Sequence, residues 1–462
     1  MNKKVLILIL NWNKIYDLVF LLKQIQYLDY KNFDCLVVDN ASTDDSVSEL
    51  KKNFPDILLI ENDTNLGGTG GYNTGLEYAL NQNIYEYIWL LDNDTNIESN
   101  TLTELVNVMD KYNDIGIAGS RIVDINNKNT TVELGAYLER SKIGVNPYKR
   151  NKLTYNEKDE IVEVDYVAIC SALIRSSALK KVGTMDQRFF IFWDDVDWGL
   201  KFKKYGYKVV GVGNSVVYHP SFTERRRGQL TDFYYGIRNP LLVYSKHFNL
   251  FKRSLIFYIY FRKLLKIIIF KHLTKANHGE KLAIRALKDF IDNKWGKCVL
   301  PSPEIEKPNL VHAVKIENLK AKKILIISDD IADNIIKLKS IIEESIPDVE
   351  LTLLVIDDRK EIYEENFKKL IVIENKKNNK LIYNLKIFMD IVFNNYDYVI
   401  STFSNPFTFA ALHSLRYYPE ENAILRSNNN IKRAYIPIIS TIFGEILSFL
   451  YTPFILYKSL KY

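Results

Sequence analysis

The chain reads as an α/β protein: a parallel, doubly wound sheet, then a basic helical segment, then a second, smaller α/β domain with an apolar C-terminal tail. Three observations predict this. Short apolar, β-branched runs alternate with helical patterns in the first part of the chain. The 462 residues exceed what one core usually serves. The alternation also resumes after a proline-bearing stretch at residues 301–308.

Val5–Leu10, Cys35–Asp39, Ile57–Glu61 and Tyr87–Leu91 are expected strands, each a short apolar run suited to burial on both faces. Asp17–Leu28, Ser46–Asn53, Gly70–Gln82 and Thr101–Tyr112 are the helices between them. This βαβ rhythm puts ligands at the carboxyl ends of the strands. Tyr166–Ile174 adds a strand-like run ahead of a helix and of Phe189–Trp193, and the first domain is expected to span residues 1–245.

Residues 246–310 are expected to be a helical, basic amphipathic connector. Lys252, Arg262, Lys263 and Lys266 share one sector of a helical wheel, and Leu, Ile, Phe and Tyr fill the rest. Charge interrupts this run too often for a comfortable bilayer span. It is either a basic helix in an anionic membrane interface or a buried helix with one solvated edge. Residues 311–434 form the second α/β domain, with strands at Lys323–Ser328, Leu351–Ile356, Leu370–Ile373 and Tyr398–Ser401. It carries no motif that assigns it a role, and Asp329-Asp330 and Asp357-Asp358 read as helix caps. Residues 435–462 are apolar but broken by Pro437, Gly444, Glu445 and Pro453, which favours an interfacial anchor or docking on the protein over a span.

Apolar residues make up 47% and charged residues 26%, an ordinary balance for a folded protein. The net charge of +6, with both signs mixed, is too mild to argue for nucleic acid, though it favours an anionic surface or phosphorylated substrates. An aromatic share of 13% suits sugar-stacking surfaces or a membrane interface. Cys35, Cys170 and Cys298 lie far apart without metal-ligand spacing. Val5–Leu10 is short, lacks a small-residue cleavage site and leads into Asn11-Trp-Asn13, so it reads as a first strand rather than a signal peptide. A cytoplasmic protein is expected.

Four segments carry candidate chemistry. Asp92-Asn93-Asp94 ends a strand, and residues two apart on a strand share a side, so both carboxylates can reach one point suited to Mg²⁺ or Mn²⁺. A turn or helix cap is the plain alternative for such a pair. Asp39, also at a strand end in Val-Asp39-Asn-Ala-Ser, can accept from a ribose or a base N–H, or simply cap a turn. Asn65-Leu-Gly-Gly-Thr-Gly-Gly-Tyr-Asn73 brings glycines to a helix start, where backbone approaches a ligand closely and N–H groups face an anion. Trp193-Asp194-Asp195 sets an indole beside carboxylates, as a general base facing a sugar requires. His219, two dozen residues on, would complete a two-carboxylate, one-imidazole set with Asp92 and Asp94.

In this order and spacing the segments resemble the inverting GT-A glycosyltransferases of family 2, over about residues 3–245. Asn11-Trp-Asn13, Val-Asp39-Asn-Ala-Ser, Asn65-Leu-Gly-Gly, Asp92-Asn-Asp94, Val182-Gly-Thr-Met-Asp186-Gln-Arg-Phe-Phe190, Asp194-Asp195-Val-Asp197 and Tyr218-His219 carry the resemblance. Gly-Gly-Thr-Gly-Gly-Tyr-Asn with Trp-Asp-Asp looks most like bacterial galactofuranosyltransferases, and rhamnosyltransferases share much of the pattern. The resemblance implies a UDP- or dTDP-linked sugar donor, with Asn11, Asp39, Asn65, Gly67, Gly68, Gly71, Asn73, Asp92 and Asn93 around it. It implies Mn²⁺ or Mg²⁺ on Asp92, Asp94 and His219, Asp195 as general base, and Trp193 and Asp194 orienting the acceptor. Arg225-Arg226-Arg227 would close over the diphosphate or remain a solvated loop. The expected reaction is hexosyl transfer, with galactofuranose the first choice and rhamnose the alternative. The acceptor would be a glycan or lipid-linked oligosaccharide in cell-surface glycan synthesis at the inner face of the membrane. A nucleotidyltransferase would need a basic triphosphate loop, which Leu10-Asn-Trp-Asn-Lys14 is not. An inactive membrane-peripheral scaffold sits poorly with the intact Asp92, Asp94, Asp195 and His219.

Overall fold

The computed structural model describes residues 3–149, 152–153, 160–219, 230–273, 277–299, 313–314, 321–328, 332–355, 367, 369–372, 396–401, 414–418, 423–426 and 432–459. The chain divides into two compact units. One comprises Met1–Ile268, Asn277–Pro303 and Ile446–Tyr462, and the other Ile269–Ala276 and Glu304–Glu445.

The first unit opens with β1 (Val5–Asn11), α1 (Ile15–Gln26), β2 (Phe33–Asp39), α2 (Ser46–Asn53), β3 (Leu58–Glu61), α3 (Gly67–Gln82) and β4 (Tyr87–Asp92). It continues through β5 (Asn96–Ile97), α4 (Thr101–Lys111), β6 (Ile115–Asp124), β7 (Thr130–Glu133), β8 (Ala136–Leu138), β9 (Val145–Pro147), β10 (Lys152–Leu153) and β11 (Ile161–Glu163). β12 (Ser171–Arg175), α5 (Ser176–Val182), α6 (Asp194–Lys204), β13 (Lys208–His219), α7 (Leu230–His247), α8 (Leu250–Leu273) and α9 (Asn277–Ile291) follow.

The main sheet runs β10-β7-β6-β12-β4-β1-β2-β3. β3, β2, β1 and β4 are parallel, β12 lies antiparallel between β4 and β6, and β13 runs parallel to β6. Both faces are buried, which explains the near-continuous apolar runs. Val5, Ile7 and Ile9 pack with Leu18 and Leu22 of α1 and Leu105 of α4, while Leu6 and Leu8 pack with Tyr72 and Leu76 of α3 and Leu179 of α5. The core is a mixed α/β sheet, and its four parallel strands match the predicted ones to within a residue or two.

Two details differ. Of the run Tyr166–Ile174, the strand takes Ser171–Arg175. The helix expected from Gly70 starts three residues earlier, at Gly67, so α3 contains all the glycines of the segment.

The expected connector and tail are each divided, with residues 246–268, 277–303 and 446–462 belonging to the first unit. Arg253, Ile256, Phe257, Phe261, Leu264 and Ile268 form the buried stripe of α8, and Lys252, Arg262 and Lys263 stay exposed. α8 is therefore buried along one stripe, and its other face carries these basic residues together with the exposed Phe251 and Leu255. α9 adds Ala283 and Ala286 against Tyr234 and Tyr235 of α7. The second unit holds β14 (Ala313–Val314), β15 (Lys323–Ser328), α10 (Ala332–Ser345), β16 (Glu350–Val355), β17 (Lys369–Val372), β18 (Tyr398–Ser401), β19 (Ser414–Tyr418) and β20 (Ala423–Arg426). Its sheet order is β14-β20-β19-β18-β15-β16-β17, with Ile335, Leu338 and Ile342 of α10 packed on Ile324, Ile326 and Leu353. The four strands expected there are present. A last helix, α11, spans Lys432–Ser459. Asp329-Asp330, Asp357-Asp358 and Arg225-Arg226-Arg227 lie outside the described residues.

Candidate active site

The carboxyl ends of β1, β2 and β4 form the floor. Asn11 and Asp39 are register partners, and Leu10 sits beside Asp92. Asn11 Nδ2 donates to Asp39 Oδ1 at 3.1 Å, and Asn93 Nδ2 donates to Asn11 Oδ1 at 2.8 Å. Asp39 Oδ2 accepts from the Ser42 N–H at 2.8 Å. A buried chain of Asn93, Asn11 and Asp39 therefore ties three strand ends together, and burial strengthens each link.

His219 arrives from β13, whose Tyr218 pairs with Asn96 just beyond the Asp92–Asp94 turn. Its Nε2 lies 3.4 Å from Asp94 Oδ1 and 3.7 Å from Asp92 Oδ2. One ligand atom from each of the three residues falls within 4.8 Å of the others. The second oxygen of each carboxylate is held by the protein: the Tyr72 hydroxyl donates to Asp92 Oδ1 at 2.7 Å and Lys14 Nζ to Asp94 Oδ2 at 3.0 Å. Burial, then the Asp92 charge, pushes the Tyr72 phenol well above its usual pKa, so it stays a donor. Burial opposes the Lys14 charge, but Asp94 and Asp17 together hold its pKa above the ordinary lysine value.

These residues fit a divalent cation. An octahedral ion with bonds of about 2.1 Å separates neighbouring ligands by about 3 Å, and the 3.4 and 3.7 Å gaps to His219 exceed that by less than about 1 Å. Two hard oxygens with one imidazole suit Mn²⁺ or Mg²⁺.

Asp194 and Asp195 open α6 and are presented by an unusual loop. Phe190, Phe192 and Trp193 hold φ of 66°, 64° and 69°, a left-handed conformation that costs each roughly 1–2 kcal/mol. α7 holds the loop in place. Asn239 Nδ2 donates toward the carbonyls of Phe189, Ile191 and Phe192 at 3.0, 2.8 and 2.8 Å. Arg238 Nη2 donates to those of Arg188 and Phe189, both at 3.2 Å. Thr69 Oγ1 donates to Asp194 Oδ2 at 2.7 Å, and the Thr69 N–H to the Phe190 carbonyl at 3.2 Å.

The two acids have different surroundings. Asp194 is buried, and its pKa is raised first by burial and further by the Asp92 charge. The hydrogen bond from Thr69 pulls the other way. Asp195 is half-buried, with Oδ1 accepting from the Val196 N–H at 2.8 Å at the N-terminus of α6. Trp193 is half-buried, its ring 6.4 Å from that of Tyr244. Asp197 points away into an ion cluster, 2.6 Å from Lys246 Nζ and 2.8 Å from His247 Nε2.

The glycine segment takes a different role from the one expected. A Cβ on Gly71 would fall 2.4 Å from Leu10 Cδ1, and one on Gly75 2.2 Å from Leu8 Cδ1, so these glycines let α3 lie against β1. The N–H groups of Leu66, Gly67 and Thr69 already donate to Asn40 Oδ1, Asn65 Oδ1 and the Phe190 carbonyl. Asn73 is buried and spends both ends of its amide on the main chain of Met185. The helix start is thus capped from within, and Gly67, Gly71 and Asn73 are packing residues here. Gly68, half-buried, is the glycine with room above it, since a Cβ there would meet Ile191 Cγ1 only at 4.0 Å.

Asn40, Lys14, Thr69, Tyr72, Arg238 and Asn239 were not singled out from sequence. Asn40 lies inside the quoted Val-Asp39-Asn-Ala-Ser string, so it was within reach. Arg238 and Asn239 had no local signal.

Residues 7–183 match the family model "Glycosyl transferase family 2". That segment is similar to glycosyl transferase family 2 domains. Among curated relatives, the galactofuranosyltransferase GlfT2 of Mycobacterium tuberculosis is 22% identical over 249 residues, 51% of this chain and 38% of that protein. The amylovoran biosynthesis glycosyltransferase AmsB of Erwinia amylovora is 26% identical over 201 residues, 41% of this chain and 61% of its own length. The chain thus spans well under two thirds of these relatives. Among solved structures, the mannosyltransferase PcManGT of Pyrobaculum calidifontis, in complex with GDP-Man and Mn²⁺, aligns with a TM-score of 0.39 at 16% identity, covering 53% of this chain and 64% of that one.

Proposed function

We propose that this protein is a family 2, metal-dependent inverting glycosyltransferase acting in glycan biosynthesis. In this reading it moves a hexosyl group, galactofuranose from UDP-galactofuranose in the first instance, onto a glycan or lipid-linked acceptor. The observation that carries the reading is the convergence of Asp92, Asp94 and His219 at the strand ends, close enough to Asp194 for the Asp92 charge to raise its pKa. The galactofuranosyltransferase name of one relative supports the choice of sugar.

Asp92, Asp94 and His219 would hold Mn²⁺ or Mg²⁺, which when bound neutralises charge on the departing diphosphate. Asp39 and Asn11 line the nucleotide side of the floor, with Asn93 fixing Asn11. Asp195, the more accessible acid of the pair, takes the proton of the acceptor hydroxyl. The freed oxygen bonds to the anomeric carbon from the face opposite the diphosphate. The bond to the diphosphate oxygen breaks, the nucleoside diphosphate leaves, and configuration inverts. Asp194, fixed by Thr69, and Trp193 position the acceptor sugar.

No described helix is long and apolar enough to cross a membrane. Phe251 and Leu255 of α8 and Phe449, Leu450, Phe454 and Tyr457 of α11 are nonetheless exposed, which supports peripheral contact with a membrane carrying a lipid-linked acceptor.

The test is turnover of UDP-galactofuranose, UDP-galactopyranose, UDP-glucose and dTDP-rhamnose with Mn²⁺, for wild type beside His219→Ala. One donor consumed with Mn²⁺, and not with EDTA or in the variant, is the expected result. Consumption of dTDP-rhamnose alone would move the sugar to rhamnose. Calorimetry that finds no Mn²⁺-dependent binding of any nucleotide would overturn the enzyme reading.

A further inference from the structure

Behind the loop that presents Asp194 and Asp195 lies a cavity of about 400 Å³, in the size range of small-molecule sites. It is lined by Arg238, Arg285, Lys288, Lys294 and Lys297, with Asp289 the single carboxylate. That carboxylate is committed: the Tyr234 hydroxyl donates to it at 2.6 Å, and Arg285 Nε lies 3.6 Å away. Arg238 is also committed. Buried to 1% exposure, it donates to the Gly296 carbonyl at 3.0 Å and is braced between the rings of Tyr235 and Trp295. Arg285 Nη1 donates to the Val299 carbonyl at 2.8 Å. Arg238 is thus a fixed cation at the base, Arg285 is tethered but exposed, and Lys288, Lys294 (3.9 Å from Asp292) and Lys297 stand exposed around the mouth.

Lysines arranged as mobile point charges over a fixed cation suit a phosphate group. Five cations from two helices and a loop line one pocket whose single lining carboxylate is already committed, which gives it a positive potential that favours an anion. We infer that this cavity is a second ligand site, separate from the metal-ligand cluster, that binds a phosphate-bearing molecule. The wall of the pocket is continuous with the acid-presenting loop: the Gly296 N–H donates to the Arg188 carbonyl at 3.0 Å, and Arg238 bonds that same carbonyl. A ligand here therefore sits against the outer side of Arg188–Trp193.

Pyrophosphate binding to the full chain, measured by calorimetry in EDTA, isolates this site because the donor site then lacks its cation. Wild type, Asp92→Asn and the double variant Lys288→Glu/Lys297→Glu are compared, with circular dichroism confirming folding. Both lysines are exposed, so the double variant should keep its fold. Saturable binding retained in Asp92→Asn and weakened roughly tenfold or more in the lysine variant is expected, the scale of losing charge partners at an interface. A parallel arm uses vesicles of phosphatidylglycerol in phosphatidylcholine. Binding of vesicles but not pyrophosphate, lost in the lysine variant, assigns the phosphate to a lipid headgroup. Absence of binding to either probe, or binding that the lysine substitutions leave unchanged, overturns the inference.

Discussion

Asn239→Ala removes the side chain that holds the acid-presenting loop without touching an acid or a metal ligand. Its Nδ2 carries two hydrogens and reaches three carbonyls, those of Phe189, Ile191 and Phe192. Leaving such carbonyls unsatisfied costs about 1–3 kcal/mol per lost bond, or about 2–6 kcal/mol for two bonds. The left-handed conformations of Phe190, Phe192 and Trp193 store roughly 3–6 kcal/mol, at 1–2 kcal/mol each. Holding energy and stored strain are therefore comparable, and losing Asn239 tips the loop toward relaxing. Relaxation would shift Trp193 and the start of α6, and with them Asp194 and Asp195. A displacement on the order of 1 Å costs around a hundredfold in rate. We expect kcat to fall by about that factor, while Mn²⁺-dependent nucleotide binding by calorimetry stays within a few-fold of wild type. Asn239→Asp should be no better, because it sets an acceptor against the same carbonyls. Wild-type kcat in a folded Asn239→Ala protein would refute the reasoning. So would equal losses in nucleotide binding and turnover.

Three further outcomes are expected. Asp195→Asn should lower kcat by about 10²–10⁴-fold with nucleotide binding intact, the scale of losing a general base, and near-normal turnover would remove Asp195 from that role. Asp194→Asn should raise Tm by about 2 °C while impairing transfer, because burial and Asp92 disfavour the Asp194 charge; a fall in Tm on calorimetry would show the charge to be stabilising. Gly67→Ala should cost roughly 2–5 kcal/mol in urea denaturation, since φ is +75° and the new Cβ would lie 2.1 Å from the Phe190 carbonyl oxygen.

A pH dependence follows from Asp186. Burial opposes its charge, but Arg188 and Lys246 hold its pKa well below the usual carboxylate range. Its stabilisation is therefore complete above its unfolded value of about 3.9 and is lost as pH falls through the folded value. The stability gap between wild type and Asp186→Asn should be full at pH 6 and shrink below about pH 4, and a gap that stays constant across that window would contradict the ion cluster.

The sheet was legible because strands buried on both faces leave continuous apolar runs, and the rule that ligands sit at strand ends pointed at Asp39, Asp92 and Asp94. His219 was legible as a lone histidine ending an apolar run, though only the pairing of Tyr218 with Asn96 explains how it reaches Asp94. The packing role of the glycines was hidden for a physical reason. A glycine kept so that a helix can approach Leu8 and Leu10 looks the same in sequence as one kept for an anion. Arg238 and Asn239 were invisible because their partners lie about 50 residues away on a loop with no period of its own.

The three side chains proposed to hold a metal do not come from neighbouring parts of the sheet. Asp92 and Asp94 close a central strand, whereas His219 ends a strand that reaches them only after β13 has docked along β6. A cation there would act as a removable cross-link between early and late parts of the domain. Loading would then be a readout of finished folding, since a chain with β13 undocked offers only two carboxylates. Occupancy at a hundred times Kd would add about 2.7 kcal/mol to the folded state. Divalent-metal supply would thus set the lifetime of this domain as well as its rate.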